Sequence, residues 1–156
     1  LNFDDWLALN QLYADYASAV DSGHWDLWPE FFTDDCVYRL QPRENHERGF
    51  PLATLAFTSK GMLKDRVYGI RETLFHDPYY QRHVVGSPVV REAQDGRYRC
   101  EANYAVFRTK LSDASTVFNV GRYLDVVVRT PAGLKFASRE CIYDSEMIPN
   151  SIIYPI

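Results

Sequence analysis

Cysteine is scarce in this chain of 156 residues: Cys36, Cys100 and Cys141 are the only three, far apart and without a C-x-x-C spacing. That excludes a disulfide framework or a thiolate metal knuckle, and predicts reduced, buried thiols in a cytoplasmic protein. No cysteine lies near a histidine, so the paired Cys and His ligands of a Rieske cluster are missing as well. No N-x-S/T sequon occurs, in keeping with a chain that is not secreted. The chain opens on Leu1 and not on Met, which leaves a preceding segment open. Long apolar runs are lacking too. The longest aliphatic stretch is Val126-Val127-Val128, against about 20 residues for a membrane span. Positive charge is not in excess: 17 Lys and Arg face 21 Asp and Glu, for a net charge of -4. A nucleic-acid binder normally shows a basic face, so that class is disfavoured. There is no G-x-S-x-G, no Walker-type loop and no G-x-G-x-x-G, hence no nucleophile elbow, phosphate loop or dinucleotide fingerprint.

What the chain has in abundance is rings. Tyr 11, Phe 9 and Trp 3 make it 15% aromatic, within 46% hydrophobic and 24% charged residues. That composition belongs to a folded globular protein and excludes disorder. With no internal repeat or linker, residues 1–156 are expected to form a single domain. A chain of this length buries roughly 70% of its unfolded surface without a metal or disulfide staple.

The first half reads helical. Phe3, Trp6, Leu7, Leu9, Leu12, Tyr13, Tyr16, Ala17 and Val20 recur with period 3.6 and predict an amphipathic helix over 3–21. Asn2 is its cap, Asp4 and Asp5 suit its first turn, and Ser22-Gly23 stops it. Residues 25–32 predict a short second helix with Pro29 in its first turn. Cys36–Leu40 reads as a first strand and 41–58 as irregular. Ser59 caps a third helix through about Thr73, with Met62, Leu63, Val67 and Ile70 on one side. Strands follow: 82–92, with Pro88 placing it at an edge or a bulge, then 97–111, 116–129 and 134–144.

Strand phase carries more. Phe118, Val120, Leu124, Val126 and Val128 share one parity, as do Leu134, Phe136 and Ile142. The two faces match if a three-residue loop, Pro131-Ala132-Gly133, pairs Thr130 with Leu134 and places Gly133 in the left-handed region. In 97–111 the apolar parity switches between Tyr104 and Ala105, which predicts a bulge near Asn103–Ala105. Gly121 on the neighbouring strand allows the same bend. The expected fold is α+β, with N-terminal helices packed in a strongly curved antiparallel sheet. It resembles the nuclear-transport-factor-2-like cone, a fold shared by ketosteroid isomerases, dehydratases and non-catalytic subunits.

Acid–base chemistry inside such a cone would use Tyr13, Tyr16, Asp34 or Asp35, His83, Asn103, Arg122 and Glu140. The register opposes Leu124 to Glu140 and Arg122 to Ile142, making Arg122 and Glu140 diagonal neighbours. They form either a substrate clamp or, on the plainer reading, an internal ion pair. His76, Asp77 and His83 carry the residue types of a two-His-one-carboxylate iron site. They straddle a Pro78-Tyr79-Tyr80 turn with no regular element to align them, so a structural role is expected instead. Two apolar features predict covered surface. Residues 147–156, Met-Ile-Pro-Asn-Ser-Ile-Ile-Tyr-Pro-Ile, must be covered by the chain's own body or by another subunit. Trp25, Trp28, Phe31 and Phe32 crowd one short helix, and some of those rings are expected to face partners.

Several segments together carry a family resemblance. They are Tyr13-Ala14-Asp15-Tyr16 with Asp21, the run Trp25–Cys36, Pro42-Arg43-Glu44-Asn45, Asp65-Arg66-Val67 with Arg71-Glu72, Gln81–Gly86, Gly121–Asp125 and the apolar tail. In this order and spacing the chain resembles the small, or beta, subunits of bacterial aromatic-ring-hydroxylating Rieske non-haem iron oxygenases. The resemblance implies a heteromer. The large (alpha) subunit would hold the Rieske [2Fe-2S] cluster and the mononuclear iron, with small subunits meeting around a three-fold axis as three large plus three small. A ferredoxin and a reductase would act on the complex. No catalytic, cofactor-binding or metal-binding residue is expected in this chain. Pro42–Asn45 and Met62–Arg66 look most like small subunits of enzymes acting on aromatic carboxylates, salicylate first, then terephthalate or anthranilate. The competing readings are a stand-alone cone isomerase or dehydratase and a binding module for a small apolar ligand.

Overall fold

The computed structural model describes residues 1–73, 78–145 and 152–156. The first helix, α1 (Phe3–Asp21), begins where Asn2 accepts a hydrogen bond from the Asp5 N–H at 2.8 Å. It ends before Gly23, whose φ of +71° suits a residue without a Cβ. Leu9, Leu12, Tyr13, Tyr16, Ala19 and Val20 face the core. Phe3, Trp6 and Leu7, counted in the apolar stripe, are exposed instead. The expected second helix is two 3₁₀ turns, Trp25–Leu27 and Pro29–Phe31. Pro29 opens the second turn and has no N–H to continue the ladder of the first.

Strand β1 (Phe32–Pro42) is longer than the predicted Cys36–Leu40. The segment expected to be irregular carries a short helix α2 (Arg43–Glu47) and a short strand β2 (Leu55–Phe57). Helix α3 (Lys60–Tyr68) is capped by Ser59, which accepts from the Met62 N–H at 3.2 Å, and widens into a π turn over Gly69–Thr73. Leu63, Val67 and Ile70 are buried; Met62 is exposed. The single strand expected over 82–92 is two, β3 (Tyr79–Val85) and β4 (Val89–Gln94), both paired with β5 (Arg97–Lys110). The break falls at Gly86-Ser87-Pro88, where proline cannot donate to a ladder. The long strands β6 (Thr116–Thr130) and β7 (Gly133–Tyr143) complete the sheet.

Strand order is β2-β1-β7-β6-β5-β3, with β4 alongside β5. The sheet is mixed, not antiparallel throughout, because β1 pairs with β7 in parallel. Hairpin logic applies only to consecutive strands. These two are joined by nearly the whole chain, so nothing local dictates their direction.

The β6–β7 register is as expected from Gly121 to Val126: Leu124 opposes Glu140 and Arg122 opposes Ile142. Its cause differs. The hairpin pairs Thr130 with Gly133, and a bulge between Val126 and Val127 restores the parity. Gly133 does take the left-handed region, at φ +106°. The face is the opposite of the expected one. Gly121, Tyr123, Asp125 and Val127 point to the core, while Leu124, Val126 and Val128 lie on the outside.

The bulge predicted at Asn103–Ala105 is absent. Tyr98, Cys100, Ala102, Tyr104 and Val106 all face inward in one unbroken alternation, and the ladder slips only between Val106 and Phe107. Ala105 and Phe107 are apolar residues of the outer face, and their polarity imitated a switch. Gly121 does permit close approach: a Cβ there would lie 2.0 Å from the Ile142 carbonyl oxygen.

Inside the sheet's concave side the rings pack edge to face. Tyr16 meets Phe31, Phe32 and Phe136 at 5.5–6.2 Å between centroids, and Trp28 meets Tyr38 at 5.3 Å. Trp28 and Phe32 are fully buried, Phe31 packs against the core, and Trp25 stacks on Tyr154 at 4.6 Å. All four rings thus pack on the domain's own core, but Trp25 and Phe31 are only partly buried and keep some exposed surface. Of the apolar tail, Ile152, Tyr154, Pro155 and Ile156 are buried in the chain's own body; Met147 to Ser151 lie outside the described residues. No helix of the described chain is long and apolar enough to cross a membrane.

Candidate functional site

The concave interior is where a cone would do chemistry, and its centre is an ion pair that sequence reasoning missed. Asp125 on β6 and Arg139 on β7 stand directly opposite each other. Arg139 Nε donates to Asp125 Oδ1 at 3.0 Å and Nη2 donates to Oδ2 at 2.8 Å, with both side chains fully buried. The Tyr13 hydroxyl donates to Asp125 Oδ2 from α1. The guanidinium lies against Tyr123, Phe136, Tyr16 and Tyr13, at 3.7 to 4.9 Å from their ring centroids. Such stacking suits a planar, weakly hydrated cation.

Electrostatics lock these groups. Burial works against the Arg139 charge, but Asp125 beside it prevails and holds the guanidinium above its ordinary value. Burial raises Asp125 above the usual carboxylate range, against the pull of Arg139. Burial, then the Asp125 charge, pushes Tyr13 well above an ordinary phenol. Tyr16, also raised by burial, accepts from Trp28 Nε1 at 3.0 Å and donates to the Ile156 carbonyl at 2.8 Å. Both tyrosines are therefore protonated donors at neutral pH, occupied by the protein itself.

A second buried pair joins α1 to β3. His83 Nδ1 lies 2.6 Å from Asp21 Oδ1, and the His83 N–H donates to Asp21 Oδ2 at 2.7 Å. His83 Nε2 is buried without a hydrogen-bond partner. The pair fastens the end of the helix to the sheet at two points.

The remaining sequence candidates fall elsewhere. Asp34 and Asp35 are exposed on β1, where Asp35 accepts from the Thr33 hydroxyl. Asn103 and Arg122 are exposed on the outer face. Glu140 is half-buried there and comes within 4.0 Å of His46 Nδ1. The expected Arg122–Glu140 interior pair is thus corrected to Asp125–Arg139. The register that set Leu124 against Glu140 also sets Asp125 against Arg139, so one shift of face separated the two answers. His76 and Asp77 lie outside the described residues. Among the described ones, no three His, Cys, Asp or Glu side chains converge on a metal position. Burial pushes the thiol of Cys36 up to about 11, and those of Cys100 and Cys141 up to about 12. Cys36, Cys100 and Cys141 are free and buried, as expected.

Comparison with known proteins places this geometry in a family. The model of the SnoaL-like domain matches residues 3–140. The small subunit of anthranilate 1,2-dioxygenase from Burkholderia cepacia is 33% identical over 97% of this chain and 94% of its own. The chain belongs to the beta-subunit family of aromatic-ring-hydroxylating dioxygenases. A second member, beta subunit 1 of the terminal oxygenase component of terephthalate 1,2-dioxygenase from a Comamonas species, is 29% identical over 92% of this chain and 93% of its own. A crystal structure from Novosphingobium aromaticivorans, described as the beta subunit of such a dioxygenase, superposes with a TM-score of 0.89. It is 32% identical, with 97% of each chain covered. The cone itself is shared more widely. A structure described as a scytalone dehydratase reaches a TM-score of 0.74 at 17% identity, a likeness of fold alone. In this beta-subunit cone the α1 tyrosines are spent on Asp125 and Ile156 rather than left open.

Proposed function

We propose that this chain is a structural, non-catalytic subunit of an oxygenase complex that hydroxylates an aromatic carboxylate, salicylate in the first instance. Its role is to support assembly of large subunits that hold the Rieske cluster and the mononuclear iron. Small subunits meet one another around a three-fold axis and the large subunit by a separate face, and a ferredoxin and a reductase feed the complex. The observation that carries the non-catalytic reading is the interior. Asp125 is gripped by Arg139 and Tyr13, and Tyr16 and Tyr38 both donate to the Ile156 oxygen. Groups so engaged have no free proton to give or accept near neutral pH.

Two exposed apolar patches support the assembly role. Across the outer face, Val84, Ala105 and Val120 stand in one line through β3, β5 and β6, with Val84 58% and Val120 38% exposed. At the start of α1, Phe3, Trp6 and Leu7 are 69%, 40% and 50% exposed. Apolar surface of this kind marks interfaces. The substrate class draws on the relatives named for anthranilate and terephthalate, both aromatic carboxylates.

A pull-down with the tagged chain from its native cell tests the reading. It should retain a partner of large-subunit size bearing Rieske ligands, and the purified complex, given reductant, should consume salicylate faster than anthranilate or terephthalate. A chain that stays alone and catalyses an isomerisation or dehydration by itself overturns the assignment. A partner that binds but oxidises no aromatic carboxylate overturns the substrate class only.

A further inference from the structure

The segment Ile152–Ile156 is held as a ligand is held. Arg66 on α3 donates to the Ile152 and Ile153 carbonyls at 2.9 and 3.2 Å. The Tyr79 hydroxyl on β3 accepts from the Tyr154 N–H at 3.4 Å, and Gln81 Nε2 donates to the Pro155 carbonyl at 3.0 Å. Tyr38 on β1 reads both backbone groups of Ile156, accepting from its N–H and donating to its carbonyl, each at 3.2 Å. Tyr16 on α1 adds a 2.8 Å bond to that carbonyl. Among the described residues, no backbone–backbone hydrogen bond joins the segment to the body. Among the described residues, its hydrogen bonds to the body come from side chains. Its side chains fill matching places: Tyr154 lies between the rings of Trp25 and Tyr79, at 4.6 and 4.4 Å, and Ile156 is fully buried.

We propose that this cleft is a peptide-binding site, occupied here by residues 152–156 as a tethered ligand, and that it takes a free peptide of the same sequence in exchange. The frame of the cleft has contacts of its own, although Ile152 and Ile156 belong to the same core cluster. The β1–β7 ladder, the packing of α1 on the sheet and the Trp28–Phe32–Tyr38 ring cluster are made without the segment. Trp28 Nε1 sets the Tyr16 hydroxyl in place from inside the body. The lining left behind carries three hydroxyls, an amide and a guanidinium, so water can replace the peptide. Extended peptides are commonly recognised through main-chain hydrogen bonds with side chains filling separate pockets. The ligand class is an apolar peptide with an aromatic residue followed by Pro and an aliphatic residue.

The test folds the full chain with a specific protease sequence in place of residues 146–151, then cuts it. The cut segment should stay bound through gel filtration and exchange with an excess of dye-labelled peptide Ser151–Ile156, while the uncut chain takes up none. Loss of the hydroxyls in a Tyr16→Phe/Tyr38→Phe variant should speed that exchange by about tenfold or more. A Tyr154→Ala peptide should fail to compete. Release only on global unfolding, unfolding of the body on release, or a vacated cleft that ignores the labelled peptide each overturns the proposal. If the cut protein does not fold, hydrogen exchange on the uncut chain decides. The Tyr154 and Ile156 amides should exchange at least about tenfold faster than Tyr123 in the ladder, by local release of the segment; equal protection overturns the proposal.

Discussion

Arg139 shows how a charged residue survives in a core. Two bonds to Asp125 and flanking rings stand in for the water that Nε and Nη2 lost, while Nη1 is buried without a hydrogen-bond partner. Replacing Arg139 by Met alone leaves Asp125 buried and unpaired, and should lower unfolding free energy by about 3–5 kcal/mol. The double replacement Arg139→Met/Asp125→Leu should recover most of that loss, as read from denaturant midpoints. The thiols set the pH response. Cys100 and Cys141 rise from 9.0 unfolded to about 12 folded because burial disfavours the thiolate. A raised folded value contributes nothing against folding below the unfolded value and withdraws stability as pH climbs from one value toward the other. The melting temperature should therefore hold from pH 7 to about 9 and fall beyond it, less steeply in a Cys100→Ala/Cys141→Ala variant.

At the scale of elements, strand parity is the decisive variable. Two bulges, at Val126/Val127 and at Val106/Phe107, determine which residues of β6 and β7 point inward. Gly121 lets β6 press against β7 where the sheet turns, since any Cβ would strike the Ile142 carbonyl. Gly121→Ala should cost at least about 3 kcal/mol, because the obstruction is backbone and cannot rotate away. Gly61→Ala is the control: in the first turn of α3 an added Cβ meets only the Ser59 Oγ, at 3.7 Å. It should raise stability by up to about 0.5 kcal/mol through helix propensity. Chemical denaturation of the two variants under one condition checks both signs.

For the whole molecule, the core is rich in packed rings and the outside is apolar in places. A Val84→Glu/Val120→Glu variant puts charge on the outer stripe without touching the core. It should leave the isolated chain's melting temperature within about 2 °C while abolishing recovery of the large partner or of the small-subunit trimer. By contrast, His83→Ala removes the partner of Asp21 and should lower stability by about 1–3 kcal/mol. Turnover per assembled, iron-loaded complex should stay unchanged in that variant. A fall by orders of magnitude would place His83 in the chemistry and overturn the structural role.

Local order determined the helices, their caps, the long strands, the proline break and the glycine of the last hairpin. Asn2, Ser59, Pro88 and Gly133 act within a few residues of themselves. The register of Leu124 against Glu140 came out as expected only because the bulge at Val126/Val127 offsets a different hairpin pairing, while the order and spacing of the chain's segments carried the family. Local order could not decide which side of the sheet is inside. Leu124, Val126 and Val128 are as apolar as any core strand, and Asp125 looks like a surface residue until Arg139 is placed opposite it. Nor could it decide the parallel pairing of β1 with β7, or that Ile156 would end against Tyr16 and Tyr38, because those contacts join residues more than 90 positions apart. Burial of an ion pair and of a chain segment depends on what lies across the cone, and only tertiary structure supplies that neighbour.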